Sequence, residues 1–108
     1  MDDAMKTIAF MAQKGGSGKT TLVTNLYAYC ESQKKIAFDC DPQGSFSGWA
    51  GMRGKPEEVI ALSALEIEEK LTKALGGGYE WAFVDTAPHA EAGAGKIAEL
   101  ANLAVIPV

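Results

Sequence analysis

The sequence is poor in residues that bind transition metals. Its 108 residues include one histidine, His89, and two cysteines, Cys30 and Cys40, which form no CxxC pair. A structural zinc or iron–sulfur site needs about four such ligands. We therefore expect no zinc, haem or iron–sulfur centre, and we expect both thiols to be reduced and mostly buried.

The sequence also lacks an excess of basic residues and long apolar runs. Ten Lys and Arg residues against fourteen Asp and Glu residues give a formal net charge of −4. A general nucleic-acid or membrane-surface binder is more often basic, although a local basic patch remains compatible with this sum. The longest apolar runs, at residues 8–12 and 103–108, are far shorter than the roughly 20 residues that span a bilayer. The first four residues are MDDA, acidic where a signal peptide would be basic, so we expect a cytoplasmic protein with no membrane association.

Short apolar segments alternate with amphipathic segments along the chain. This order is typical of βαβ units and predicts an α/β fold with a mainly parallel sheet. Apolar runs predict five strands, at residues 7–12, 36–38, 59–62, 81–84 and 103–106. Helical spacing predicts three helices, from the glycine-rich segment to about residue 33, from 63 to 75 and around 95–101. Residues 49–56 have no clear pattern and are expected to be a surface loop. Because the chain stops directly after a strand, we expect residues 1–108 to be the N-terminal part of a single domain.

The boundaries of the middle helix are marked by local signals. Ser63 and Glu66 have the spacing of a capping box. Three glycines at residues 76–78 are expected to end the helix. Its predicted apolar face consists of Ala64, Ile67, Leu71, Ala74 and Leu75.

The strongest chemical signal is the segment QKGGSGKTT at residues 13–21, between a predicted strand and a predicted helix. A loop that binds phosphate must point its backbone amides inward, and glycines allow both the tight turn and the close approach. The free amides and dipole of the following helix add to the attraction for an anion. Lys19 can supply a positive charge to the β- and γ-phosphates, and Thr20 a hydroxyl to Mg²⁺. The segment therefore predicts a nucleotide phosphate site.

Aspartates end two of the predicted strands. The second strand runs into Asp39 and Asp41, and the fourth ends at Asp85. A carboxylate at the C-terminal end of a strand beside the phosphate loop is where Mg²⁺ and its waters must be held. Asp41 is followed by a proline that fixes the loop, so it is placed to orient an attacking water.

The phosphate segment departs from the common GxxxxGK[ST] pattern. Gln13 stands where that pattern has glycine, and a second lysine, Lys14, follows it. This is the deviant Walker A motif, and with it the chain resembles the ParA/MinD family of ATPases. Residues 38–45 (FDCDPQGS) resemble the first switch of that family, and residues 81–88 (WAFVDTAP) resemble its Walker B strand and second switch. The resemblance covers residues 6–108 and implies a three-layer P-loop NTPase-like fold that binds ATP or ADP with Mg²⁺.

The resemblance also implies a role for each matching residue. Lys14 resembles the signature lysine that reaches the partner's phosphates across an ATP-sandwich dimer. Asp41 matches the carboxylate required for hydrolysis, Asp39 its neighbour near the γ-phosphate or Mg²⁺, and Asp85 the residue that acts on Mg²⁺ through water. The implied catalytic residues are Lys14, Lys19 and Asp41. The implied nucleotide-binding residues are Lys14, Gly15, Gly16, Ser17, Gly18, Lys19, Thr20 and Thr21. The implied metal-binding residues are Thr20, Asp39, Asp41 and Asp85.

Within the family, the small plasmid and chromosome partition ATPases are most similar, because they share the DPQ segment, its downstream serine and Trp49. The resemblance implies an ATP-dependent homodimer that hydrolyses slowly, a centromere-binding ParB-type adaptor and non-specific DNA as partners. One alternative is a MinD-like cell-division regulator, which is less similar at residues 41–50. Another is a truncated, non-hydrolysing nucleotide-binding fragment or interaction module. A small-molecule kinase is a third, against which Lys14 and the DxDPQ segment stand. His89 is expected to be a solvated loop residue, and Trp49 and Trp81 are expected to be core or interface anchors.

Overall fold

The sheet and helices follow the alternating order that the sequence predicts. A computed structural model describes residues 5–11, 19–63, 65–86, 97, 99 and 101–105. The strands are β1 (Lys6–Phe10), β2 (Lys35–Asp39), β3 (Val59–Ala61), β4 (Trp81–Asp85) and β5 (Leu103–Val105). The helices are α1 (Lys19–Tyr29), α2 (Ser45–Met52) and α3 (Ile67–Gly76), with a 3₁₀ turn at Pro56–Glu58.

The five strands form one sheet in the order β3-β2-β4-β1-β5. Every neighbouring pair is parallel, as connections through helices require. The register pairs Asp85 with Phe10 on one side and with Asp39 on the other, so the carboxyl ends of the three central strands are level. The predicted α/β fold with a parallel sheet of five strands is confirmed.

Two apolar cores cover the two faces of the sheet. On one face, Ala9, Phe38, Ala82 and Val84 of the strands pack with residues of α3 and with Ile97. On the other face, the strand residues are joined by residues of α1 and α2, and the members of this core are Phe10, Val23, Tyr27, Ala37, Phe46, Ala50, Val59 and Phe83. Successive strand residues thus point to opposite cores. Helices lie on both faces, which gives the expected three-layer arrangement.

The prediction of a surface loop at residues 49–56 was wrong for residues 49–52, which belong to α2, and correct for the exposed residues 53–55. Trp49 lies in α2, and Phe46 and Ala50 of this helix are fully buried. These three apolar residues have helical spacing, but Gly48 between them and Gly51 after them weaken the pattern in the sequence. The ring of Tyr27 in α1 contacts the rings of Phe46 and Trp49 edge-on, at centroid distances of 5.8 and 6.1 Å. Packing between the two helices therefore overrides the low helix propensity of glycine.

Helix α1 ends earlier than predicted. The prediction that the first helix reaches about residue 33 was wrong, because α1 ends at Tyr29. Lys35 donates hydrogen bonds to the carbonyls of Tyr27 (2.7 Å) and Cys30 (2.9 Å) there, and so satisfies acceptors that the end of the helix leaves free. The positive charge of Lys35 near the C-terminus of α1 also interacts favourably with the helix dipole.

The capping box at α3 is half formed. The Ser63 amide donates to the Glu66 carboxylate (3.0 Å), and this bond lowers the pKa of Glu66. The Glu66 amide donates to the Ser63 carbonyl rather than to its hydroxyl. The glycines end the helix as predicted, with Gly78 at a φ of +88°. Ile67, Leu71 and Ala74 form the buried face, whereas Leu75 is 52% exposed and was wrongly assigned to it; Ala64 lies outside the described residues.

The last predicted helix is described only in part. Ile97 and Glu99 have helical conformation, and Ile97 is buried in the core beside α3. The Ala101 amide donates to the Ile97 carbonyl (3.0 Å), four residues back, as in an α-helix. The strand after it, predicted at residues 103–106, is confirmed as β5.

Candidate functional site

The predicted site residues that the structure describes lie at the carboxyl ends of β2 and β4 and at the start of α1. Parallel strands with level ends place their following loops at one edge of the sheet, where α/β proteins bind ligands. Lys19 is the first residue of α1, and Asp41 and Asp85 follow β2 and end β4. The predicted residues Lys14, Gly15, Gly16, Ser17 and Gly18, and also His89, lie outside the described residues.

Lys19 joins the two strand ends. Its side chain is almost fully buried, with 5% of the residue exposed. The ammonium group donates a hydrogen bond to Oδ1 of Asp85 and lies 3.4 Å from Oδ2 of Asp41. A buried ammonium group needs charged partners, because desolvation alone would strongly disfavour it. Three predicted site residues from three separate segments are therefore in contact.

Asp85 is the most buried acidic side chain of this cluster, with no exposed surface. One carboxylate oxygen is bonded to Lys19, and the other has no hydrogen-bond partner among the described residues. Burial is the main cause that raises the pKa of Asp85 to about 6; Lys19 acts in the opposite direction, and Asp39 and Asp41 raise the pKa further. A buried carboxylate oxygen without a donor is an unusual feature that a cation or its bound water would satisfy.

The residues at this site are compatible with a magnesium ion that takes some of its ligands from the protein and the others from phosphate and water. In the described part of the chain, no group of three or more His, Cys, Asp or Glu side chains could hold a metal ion by itself. Mg²⁺ is usually bound through one or two carboxylates together with substrate phosphates and waters, rather than in a cage made by the protein. Asp85 and the hydroxyl of Thr20, in the first turn of α1, are the residue types that such a site uses.

The start of α1 itself is suited to an anion. Its first turn contains Lys19, Thr20 and Thr21 and no acidic residue. The first turn of α3, by contrast, carries Glu68 and Glu69, which compensate the positive end of that helix dipole. The N-terminus of α1 is left without such compensation from its own side chains, so it retains its attraction for a phosphate group.

Asp41 contributes to the site and to the loop that carries it. Its Oδ1 accepts the amide of Gln43 (3.0 Å), and its carbonyl accepts the amide of Gly44 (2.8 Å). These bonds form a tight turn before α2, in which an aspartate bonds the backbone two residues on. The other carboxylate oxygen, Oδ2, is directed to Lys19. Asp41 therefore lies beside the lysine that the sequence assigns to phosphate.

Asp39 has a different set of partners from the one its predicted metal role suggests. Its Oδ1 accepts the amide of Asp41 (3.0 Å). Its Oδ2 accepts both the amide (2.8 Å) and the hydroxyl (3.0 Å) of Ser47 in α2. The carboxylate thus caps α2 from outside the helix, since Gly44 at the N-cap has no side chain. The metal role of Asp39 stays a prediction from resemblance.

Two residues of this region were not singled out from the sequence, Ser47 and Thr86. The amide and hydroxyl of Thr86 both donate to the carbonyl of Phe10, at 3.0 and 2.9 Å. This ties the end of β4 to the end of β1, the strand that precedes the phosphate segment in the sequence. Ser47 could have been found only after α2 had been predicted, because its importance lies in its position in the first turn. Thr86 lies in the segment that resembles the second switch, so its position was marked in the sequence. Its partner, the backbone carbonyl of Phe10, could not be read from the sequence.

The cysteines agree with the expectation of free thiols. Cys40 is buried and Cys30 is half-buried, and neither forms a disulfide. Burial, with a smaller contribution from Asp39 and Asp85, raises the pKa of Cys40 to about 12. Such a thiol is protonated and unreactive at neutral pH. Among the described residues, no helix is long and apolar enough to cross a membrane.

Comparison with known proteins places this chain in a family. Residues 8–105 match the model of the CobQ/CobB/MinD/ParA nucleotide binding domain. The chain is 36% identical over 106 residues to Maintenance of carboxysome distribution protein A of Gloeobacter kilaueensis, an alignment that covers 94% of this chain and 48% of the relative. It is 47% identical over 49 residues to Chromosome-partitioning ATPase Soj of Treponema pallidum, covering 44% of this chain and 19% of the relative. The chain spans about half the length of the first relative. Because the family model matches nearly all residues of this chain, the chain belongs to the CobQ/CobB/MinD/ParA family of nucleotide-binding domains.

Proposed function

We propose that this chain is the ATP-binding part of a magnesium-dependent ATPase of the partition type. The observation that carries the proposal is the buried contact of Lys19 with Asp85 and Asp41 at the start of α1. The contact brings Lys19, Asp85 and Asp41 together at one edge of the sheet. It supports the roles proposed for them: a phosphate-binding lysine, a metal-binding carboxylate and a water-orienting carboxylate. Hydrolysis of a phosphoanhydride requires these three groups close together.

Each residue then has a defined task. Lys19 would bind the β- and γ-phosphates. Before nucleotide binds, the carboxylates of Asp85 and Asp41 would compensate its charge. Thr20 and the free oxygen of Asp85 would hold Mg²⁺, and the bound Mg²⁺ would neutralise charge on the phosphates. Asp41, which already approaches Lys19, would orient the attacking water.

Lys14 extends the proposal to a dimer. By its resemblance to the signature lysine, it would reach the phosphates bound by a partner copy and stabilise negative charge there, as an arginine finger does. ATP would therefore favour an ATP-sandwich homodimer, and hydrolysis would release it. A Lys14→Ala variant should lose the hydrolysis that the adaptor stimulates, while it still binds ATP. Unchanged hydrolysis in this variant would rule out the role of Lys14 across the dimer.

The cargo follows from the relatives by resemblance. Similarity to Chromosome-partitioning ATPase Soj supports a role in DNA segregation. By resemblance to the partition ATPases, a ParB-type adaptor and non-specific DNA would be the partners of the whole protein. A second candidate cargo is a large body such as a carboxysome, because Maintenance of carboxysome distribution protein A aligns with 94% of the chain. Either cargo would depend on the ATP-dependent dimer switch proposed above. Co-purification of the whole protein with a DNA-binding adaptor would favour DNA segregation over the second cargo.

The nucleotide site is tested by calorimetric titration of the chain with ATP and Mg²⁺. We expect saturable binding that is lost in a Lys19→Ala variant. The matched control is Lys73→Ala, which removes an exposed lysine of α3 that pairs with Glu69. Circular dichroism would establish that each variant is folded. Binding that survives in Lys19→Ala, or no binding by the folded wild-type chain, would contradict the proposal.

A further inference from the structure

The chain of hydrogen bonds from α2 to the nucleotide site runs through Asp39. This carboxylate is almost fully buried, with 2% of the residue exposed. One of its oxygens holds the backbone amide of Asp41, and the other holds the amide and hydroxyl of Ser47. Bonds from a donor to a charged carboxylate are stronger and more directional than those between neutral groups. The position of Asp41 is therefore linked to α2 through a buried acceptor that holds donors from both.

Ser47 is the residue of α2 that makes this link. It is the third residue of the helix, where the backbone amide has no acceptor within the helix. Its hydroxyl lies 3.0 Å from Asp39 and 3.1 Å from the carbonyl of Gly44, and its single proton can be shared between them. The charged acceptor is the stronger of the two. Asp39 thus receives two hydrogen bonds from this one residue.

We propose that Ser47 is a positioning residue, which sets the place of Asp41 opposite Lys19 by fixing the carboxylate of Asp39. Among the described residues, the hydrogen bonds of Ser47 go to Asp39 and Gly44, and those of Lys19 go to Asp41 and Asp85. The effect of Ser47 is carried by two steps, from Ser47 to Asp39 and from Asp39 to the amide of Asp41. The consequence for turnover rests on the proposed ATPase function, whereas the consequence for Asp41 does not.

The first experiment needs no nucleotide. Hydrogen exchange of the Asp41 amide is measured by NMR in the full chain and in Ser47→Ala. Loss of the hydroxyl should loosen Asp39 and accelerate exchange at Asp41 by roughly tenfold, the scale of one hydrogen bond to a charged group. Ser47→Thr keeps a hydroxyl at this position and should restore slow exchange. Core amides of β4 serve as the internal reference, because a global loss of stability would accelerate them too.

A second variant separates positioning from the stability of α2. Gly51 is a residue of this helix, and a Cβ at this position meets no described atom within 4 Å. Gly51→Ala therefore strengthens the helix without touching Asp39. In the double variant Ser47→Ala/Gly51→Ala, helix stability should recover while exchange at Asp41 stays fast. Recovery of slow exchange in this double variant, or unchanged exchange in Ser47→Ala, would overturn the proposal.

Turnover of Mg·ATP gives the functional measurement. In Ser47→Ala we expect kcat to fall by roughly tenfold with little change in KM, because Asp41 is misplaced while the phosphate loop is intact. Ser47→Thr should restore kcat, and Gly51→Ala in the alanine background should not. If kcat is the same in wild type and Ser47→Ala, the proposal fails. If the wild-type chain neither binds nor hydrolyses ATP, the ATPase proposal fails, and the exchange measurement still decides the role of Ser47.

Discussion

The carboxyl ends of β2 and β4 carry aspartates at matched positions, and the two side chains have different surroundings. Asp39 and Asp85 are paired in register across the parallel strands, and both are nearly or fully buried. Asp39 accepts three hydrogen bonds, from the amide of Asp41 and from Ser47. Asp85 has one oxygen on Lys19 and a second oxygen without a described partner. One aspartate is saturated by the protein, and the other keeps an oxygen for a ligand.

The difference arises from the segment that comes after each strand. After β2 the chain turns at Pro42 and returns as α2, whose first turn directs the amide and hydroxyl of Ser47 at Asp39. After β4 the donors of Thr86 are directed to the carbonyl of Phe10 instead. Asp85 must therefore obtain its stabilisation from the charge of Lys19. Equivalent positions in a sheet acquire different chemistry when the adjoining segments supply different donors.

The largest effect is expected when Asp85 loses its carboxylate. In Asp85→Ala the buried ammonium group of Lys19 keeps only Asp41, at 3.4 Å. Breaking a buried ion pair in this way should lower the free energy of unfolding by about 3 kcal/mol, measured by urea denaturation. The double variant Lys19→Met/Asp85→Leu removes both charges and should recover most of the loss. A double variant no more stable than Asp85→Ala would show that the unpaired charge is not the cause.

A smaller loss of stability is expected at Asp39. Asp39→Ala leaves the amides of Asp41 and Ser47 without their acceptor, which should lower the free energy of unfolding by about 2 kcal/mol. Asp39→Asn keeps one oxygen acceptor and should lose less. Mg·ADP affinity should fall more in Asp85→Asn than in either Asp39 variant, as calorimetry can measure. Equal losses of affinity at the two positions would remove the distinction between a saturated and a ligand-binding carboxylate.

The pH dependence of stability should carry the signature of Asp85. Burial raises its pKa from 3.8 to about 6, so between these values the folded chain holds a proton that the unfolded chain has released. This contribution is complete below pH 3.8 and is lost as the pH rises through 6. Its size is on the order of 2 kcal/mol, and it is absent in Asp85→Asn. Urea denaturation of both proteins from about pH 4 to about pH 7 measures the difference, and parallel pH profiles would contradict the assignment.

Much of the sheet was predictable, because each strand is a continuous apolar run that the sequence shows directly. The ends of the strands were predictable too, since Asp39 and Asp85 come directly after these runs. The contact of Lys19 with both Asp41 and Asp85 follows from parallel strands with level ends, and only its detailed geometry required the structure. These features depend on local composition or on the general topology of α/β sheets.

The roles of Asp39 and Ser47 were not predictable in the same way. In the sequence, Asp39 and Asp41 are both predicted to bind metal, and only the position of α2 shows that the oxygens of Asp39 are already hydrogen-bonded. Helix α2 was missed because glycines interrupt its apolar residues, and its stability comes from contacts with Tyr27 of α1. Contacts between residues distant in sequence decide such a helix, and a local pattern cannot contain them.

The smallest expected effect concerns the glycines of α2. Gly51→Ala should raise the free energy of unfolding by about 0.5–1 kcal/mol, because alanine is the better helix former and its Cβ meets open space. Gly44→Ala is the opposing control: its φ is +69° and its Cβ would lie 3.4 Å from Oγ of Ser47, so it should lower stability. Combined with Asp39→Ala, Gly51→Ala should add its own gain in stability without recovering turnover, because a stronger helix does not replace the acceptor that holds Asp41. Urea denaturation and turnover of the same double variant measure the two quantities separately. Recovery of both together would mean that Asp39 acts only by stabilising α2.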